Sequence, residues 1–190
     1  MSLYAYFSEM REKLAELQQF KGLMTAQGDV LEDLVKQTLV RLGFSVVDDV
    51  SNRADVIVEY ADKPCVVEVK GTVGSAAEKH AGQLEKWSSH YLEEYEVVPK
   101  ALLVVNAFMD VPITERNLPV FPDQMLTYST SREHCLMSGV QLLGVLVASK
   151  LNPAMREALA REILDTVGVF DRFSTWEDIQ LFIEEHQDTQ

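Results

Sequence analysis

The sequence predicts an α/β fold: a central mixed sheet flanked by helices. Three observations predict it. Short apolar runs at 55–60, 64–70 and 101–105 have the length and composition of strands. The segments 30–42 and 75–95 instead repeat their apolar residues at helical spacing. The order helix, strand, strand, strand, helix, strand, then helix and strand, is that of a sheet with helices packed on it.

Residues 3–26 are polar-rich, with Leu14, Leu17 and Phe20 at helical spacing, and read as an amphipathic arm. Gly28-Asp29 breaks that run and caps a second helix. Its stripe is Leu31, Leu34, Val35, Leu39 and Leu42, and Gly43 ends it as the residue just past the cap. Phe44, Val46 and Val47 suit a short strand. Ala61-Asp62-Lys63-Pro64 suits a hairpin connection between the next two strands.

Ser75 and Glu78 are spaced as a capping box. The helix they open runs to about Tyr95, with Ala77, Ala81, Leu84, Trp87 or Ser88, and Tyr91 along one face. It serves as a crossover, which makes the Lys70 and Val104 strands parallel. Ala101-Leu102-Leu103-Val104-Val105 is continuously apolar, as a strand covered on both faces requires.

Pro112, Pro119 and Pro122 mark 106–122 as a loop. A helix near 123–133, a strand near 135–138 and a helix near 140–151 follow. Pro153 starts a further helix that Gly168 ends, and 175–185 forms a last short one. The chain thus divides into a helical arm (1–27), a core (28–150) and a helical extension (151–190).

Composition is that of one globular domain: 190 residues, 47% hydrophobic and 25% charged. No apolar run approaches the roughly 18 residues of a membrane span. Arg11, Glu12 and Lys13 interrupt the N-terminus before a signal peptide can form, so a cytoplasmic protein away from membranes is expected. Cys65 and Cys135 sit in apolar runs without a CxxC partner, which favours buried thiols over a disulfide or zinc site.

Net charge is −13, which opposes general coating of DNA. The acids are spread unevenly. Residues 151–190 hold nine acids against three bases, whereas 1–27 hold three of each.

Chemistry concentrates at Glu68-Val69-Lys70, with Asp55 thirteen positions before Glu68. Residues two apart on a strand share a face, so Glu68 and Lys70 project together while Val69 turns to the core. An adjacent strand can bring Asp55 to them. Two carboxylates and an ammonium at one sheet end suit a divalent cation and a phosphodiester. Taken singly, Asp55 is a strand-start residue, Glu68 a solvated strand position and Lys70 an ion-pair partner.

In this order the residues resemble the PD-(D/E)xK nuclease superfamily, the restriction-endonuclease-like fold. Glu32 matches the acid on its first helix, Asp55 that on its second strand, and Glu68 and Lys70 the (Asp/Glu)-x-Lys on its third. Ala54 replaces the signature proline. Gln83 and Trp87 resemble a Gln-x-x-x-Tyr element, and Gly71-Thr72-Val73-Gly74-Ser75 a turn seen after the lysine in some branches. The resemblance covers residues 29–105.

It implies a restriction-endonuclease-like core and a nuclease acting on DNA with Mg²⁺, or Mn²⁺ in its place. Asp55, Glu68 and the carbonyl of Val69 would bind the metal. Lys70 would assist the attacking water, with Glu32 and Gln83 in support. Glu32 is equally a helix-dipole carboxylate, and Trp87 a core residue. Lys79, Lys86 and Arg53 are candidate phosphate contacts, although a solvated face explains the two lysines as well. His80, His90, His134 and His186 join no catalytic constellation. A domain that kept the fold for nucleic-acid binding or assembly is the alternative, and the arm is the surface through which a second copy or another protein would dock.

Overall fold

The computed structural model describes residues 18–47 and 54–187. Six strands form one sheet in sequence order: β1 Ser45–Val46, β2 Val56–Tyr60, β3 Lys63–Gly71, β4 Lys100–Asn106, β5 Cys135–Ser138 and β6 Gly168–Val169. β1, β2 and β3 pair antiparallel, and β3 to β6 pair parallel. The described α-helices are α1 Gly28–Arg41, α2 Glu78–Tyr95, α3 Asp123–Thr130, α4 Gly139–Leu151, α5 Arg156–Asp165 and α6 Trp176–Gln187. The mixed α/β sheet flanked by helices is therefore present. Of the expected helix at 3–26, residues 3–17 lie outside the described residues, as does Arg53.

Strand alternation divides the interior into two layers. Val56, Val58, Cys65, Val67, Val69, Leu102 and Val104 face α1, α4, α5 and α6. Ile57, Val66, Ala101, Leu103 and Val105 face α2 and α3. β4 is buried along almost its whole length, as its unbroken apolar run requires. α2 carries the chain from β3 to a parallel β4. Cys65 and Cys135 are buried free thiols, and burial pushes the Cys135 thiol up to about 12. No helix among the described residues is long and apolar enough to cross a membrane.

Several local expectations change. Ala61 and Asp62, at φ 50° and 62°, make the β2–β3 turn alone, so Lys63 and Pro64 belong to β3. The N-cap of α1 is Gln27 rather than Gly28-Asp29, and Asp29 instead faces the positive helix end from the first turn. The N-cap of α2 is Ala77, not Ser75. Ala77 has no side-chain acceptor, and its own N–H donates to Nδ1 of His80 at 3.2 Å. Gly168 does not cap α5, which ends at Asp165. It opens β6 at φ 88°, its N–H donating to the His134 carbonyl.

The flanking segments share the central core. A 3₁₀ turn at Phe20–Met24 buries Phe20, Leu23 and Met24 against α1 and α4. Ile163, Leu164, Phe170 and Ile179 join the same cluster from the C-terminal side. Packing therefore runs without a break across 27/28 and 150/151.

Phe20→Ala should cost about 3–5 kcal/mol in urea unfolding, the loss expected for a buried phenylalanine. Val98→Ala, at 76% exposure, should change stability by less than about 0.5 kcal/mol. A Phe20→Ala effect as small as the Val98→Ala effect would mean that this turn is a detachable arm.

Candidate functional site

The site forms where β2 begins and β3 ends. Val56 pairs with Val67, and one further step of that register sets Asp55 opposite Glu68. Directly opposed residues share a face, so Asp55, Glu68 and Lys70 all project toward the α2 side. β2 has no residue left to accept the Val69 N–H, and Oδ2 of Asp55 accepts it at 2.8 Å. The same oxygen accepts from Nζ of Lys70 at 3.1 Å. Nζ also lies 2.5 Å from Oε1 of Glu68. One ammonium thus bridges both carboxylates.

Burial sets the electrostatics. The Glu68 side chain has no exposed surface, and its Oε2 has no hydrogen-bond partner among the described residues. Burial pushes the Glu68 carboxyl up to about 7, and the neighbouring charge of Asp55 adds to the rise despite Lys70. For Lys70, burial favours the neutral amine, but Glu68 and Asp55 outweigh it and hold the pKa above the ordinary lysine value.

Glu32 is half-buried in the second turn of α1, and burial, Asp55 and Asp29 raise its pKa against the pull of Lys70. It therefore senses the site electrostatically. The start of α1 reaches the site because Gly71 lacks a side chain: a Cβ there would lie 2.5 Å from that of Gln27.

The other expected residues lie further out. Gln83 is exposed on α2, one turn past His80, and makes no hydrogen bond to Asp55, Glu68 or Lys70. Trp87 packs at the edge of the α2 layer, with the Lys86 ammonium 4.5 Å from its ring centre. Lys79 is exposed. Val69 lies on β3 between Glu68 and Lys70, and its N–H is the one that donates to Asp55.

Two histidines gain roles that spacing did not reveal. His80 holds the start of α2, and burial, Lys79 and Lys70 lower its pKa. Buried His134 pairs through Nε2 with Oε2 of Glu85 at 2.8 Å. His134 precedes β5, so it lies at the amino end of the parallel strands, away from Lys70. Glu85 and His134 are 49 positions apart, and only packing of α2 beside α3 joins them.

Next to the site, a cavity of about 560 Å³ opens at the carboxyl ends of β4 and β5. Val105, Asn106, Phe108, Phe121, Ser138 and Trp176 contribute to its lining. Nδ2 of Asn106 donates to the Ala26 carbonyl, and its Oδ1 accepts from Arg116 at 3.3 Å.

The donor set is hard oxygen, which fits Mg²⁺ and not a thiophilic metal. No group of three or more His, Cys, Asp or Glu residues suited to a metal occurs among the described residues. Asp55, Glu68 and one carbonyl would leave several positions to water and phosphate, which Mg²⁺ accepts readily. The buried, unpartnered Oε2 of Glu68 is the atom that a cation would satisfy. Comparison with protein-family models, curated proteins and solved structures gives no match for this chain.

The raised Glu68 pKa makes the folded protein bind that proton more tightly than the unfolded chain, whose carboxyl titrates near 4.5. Stability should therefore fall as pH rises from about 4.5 to about 7. Glu68→Gln should flatten this fall, gaining on the wild type between pH 5 and pH 8 in urea unfolding. Parallel stability profiles for the two proteins would contradict the assignment.

Proposed function

We propose that the protein is a Mg²⁺-dependent hydrolase of DNA phosphodiester bonds, with Mn²⁺ as a substitute, built on a restriction-endonuclease-like core. The observation that carries this reading is the convergence of Asp55, Glu68 and Lys70 around one ammonium, with a Glu68 oxygen buried and unpartnered. Asp55, Glu68 and the Val69 carbonyl would hold the cation. When bound, Mg²⁺ neutralises charge on the phosphoryl oxygens and lowers the pKa of a coordinated water.

The protein's own groups do the rest. Lys70 holds a fixed positive charge where the attacked phosphate gathers negative charge, and its hydrogen bond to Asp55 aims it. Glu68 must release its proton before it can act as a ligand, so cation binding strengthens as pH passes about 7. Glu32 adds negative potential beside the cation. Gln83, on the solvent side of α2, is available to the substrate backbone.

A second reading has its own support. The chain carries net charge −13, and both carboxylates already have Lys70 as a partner. A domain that retained the fold for nucleic-acid binding or assembly, without hydrolysis, fits those two facts. Under that reading Lys70→Ala leaves binding unchanged.

Incubation with single-stranded, duplex and branched DNA should show cleavage that requires Mn²⁺ or Mg²⁺. Asp55→Ala and Lys70→Ala should each lower the rate by about 100-fold or more. Calorimetry should show Mg²⁺ binding that is tighter at pH 8 than at pH 6 and lost in Asp55→Ala. Wild-type protein that takes up neither cation would defeat the hydrolase reading.

A further inference from the structure

We infer that the cavity beside Lys70 receives a single unstacked nucleobase next to the phosphodiester under attack. This rests on the reading of Asp55, Glu68 and Lys70 as the phosphate-handling site. Lys70 pairs with Val105 in the β3–β4 register, and Val105 and Asn106 line the cavity. Neighbouring strands are roughly 4.8 Å apart. A phosphate held at Lys70 would thus lie one strand from the cavity, with its attached sugar and base within reach of the cavity mouth.

The turn after Lys70 and the cavity wall are also one hydrogen-bonded unit. Thr72 N–H donates to the Asn106 carbonyl at 2.9 Å, Phe108 N–H to Gly74 at 3.2 Å, and Ala76 N–H to Val120 at 2.8 Å.

The lining selects for a flat, uncharged ligand with a polar edge. Phe108, Phe121 and Trp176 supply aromatic surface. Exposed Thr114, Asn117 and Glu177 supply donors and acceptors at the rim. The guanidinium of Arg116 is engaged by the Val111 and Met24 carbonyls and by Asn106, so it is committed to the protein rather than to a phosphate.

Phe108 lies in the left-handed region at φ 55°, and Phe173, just before the lining residues Ser174 to Trp176, at φ 54°. Non-glycine residues keep such conformations where the surroundings impose them, and they gather at ligand sites. A nucleobase meets each of these features. Stacking on aromatic rings also tolerates an acidic protein better than a long row of phosphate contacts does.

Calorimetry on the full-length protein should compare thymidine 5′-monophosphate with 2-deoxyribose 5-phosphate, in EDTA and in Mg²⁺. The nucleotide should bind about tenfold tighter or better, in EDTA as well, because the gain comes from the base. Trp176→Ala should reduce that preference to about twofold or less. Thr114→Trp should do the same by filling the mouth from the exposed rim, with the core left intact. Equal affinity for the two ligands, or no binding of either, in a protein that still binds Mg²⁺ overturns the base site and leaves the metal site standing. A preference that survives in both variants overturns it too. A base preference that both variants abolish, in a protein that takes up no Mg²⁺, supports the base site and removes the hydrolase reading.

Discussion

Val56 faces Val67 across the β2–β3 hairpin, and the charged groups of the site depend on that pairing. A slip of one residue would turn Asp55 toward the α1 layer and leave Glu68 on the α2 side, so the two would part. Two constraints prevent the slip. The two-residue turn at Ala61 and Asp62 fixes the strand ends relative to each other. The aliphatic residues of both strands also divide between the two layers in only one register, with Val56, Val58, Cys65 and Val67 on one side and Ile57 and Val66 on the other. Where β2 stops, the Asp55 carboxylate takes over as acceptor for the Val69 N–H. The same side chain therefore ends the ladder and positions Lys70.

The site is also an unbalanced electrostatic arrangement. Burying Glu68 as an anion is unfavourable, and the nearby charge of Asp55 makes it more so. Lys70 offsets part of that cost, being one cation shared by two carboxylates with Glu32 close by. Either a proton or a divalent cation would restore the balance. The same side chains thus account for both the raised Glu68 pKa and the affinity proposed for Mg²⁺. The surface of the chain works the other way. A net charge of −13 repels a polyanion, so productive contact with DNA would concentrate in a small area instead of spreading along a duplex.

Position along the strands separates the two charged clusters. Lys70, the turn after it, Asn106 and the cavity all lie at the carboxyl ends of the parallel strands. The Glu85–His134 pair lies at the other end, where half-exposed Glu85 on α2 is tied to buried His134 just before β5. Gly71 connects the site to the second layer, since only a residue without a side chain lets Gln27 and the start of α1 come so close.

Much of this was legible in the sequence, because the patterns concerned are local. Short apolar runs marked β2, β3 and β4, and helical spacing marked α1 and α2. Parity along β3 put Glu68 and Lys70 on one face. Other features depended on residues far apart in the chain. Ser75 had the spacing of a cap, but the turn stitched to Asn106 and Val120 moved the helix start to Ala77 and made His80 the acceptor. Gly168 resembled a helix stop until pairing beside Cys135 made it a strand. Phe20 read as part of an arm because its partners on α1 and α4 are distant in sequence. The cavity joins residues from Val105 to Glu177. The sequence alone therefore determined the strands, the main helices and the shared face of Glu68 and Lys70, since backbone geometry repeats over a few residues. The tertiary structure alone decided that Asp55 meets Lys70, that Glu68 is buried and that a cavity lies beside them. Those outcomes depend on which distant surfaces pack together, which no local period records.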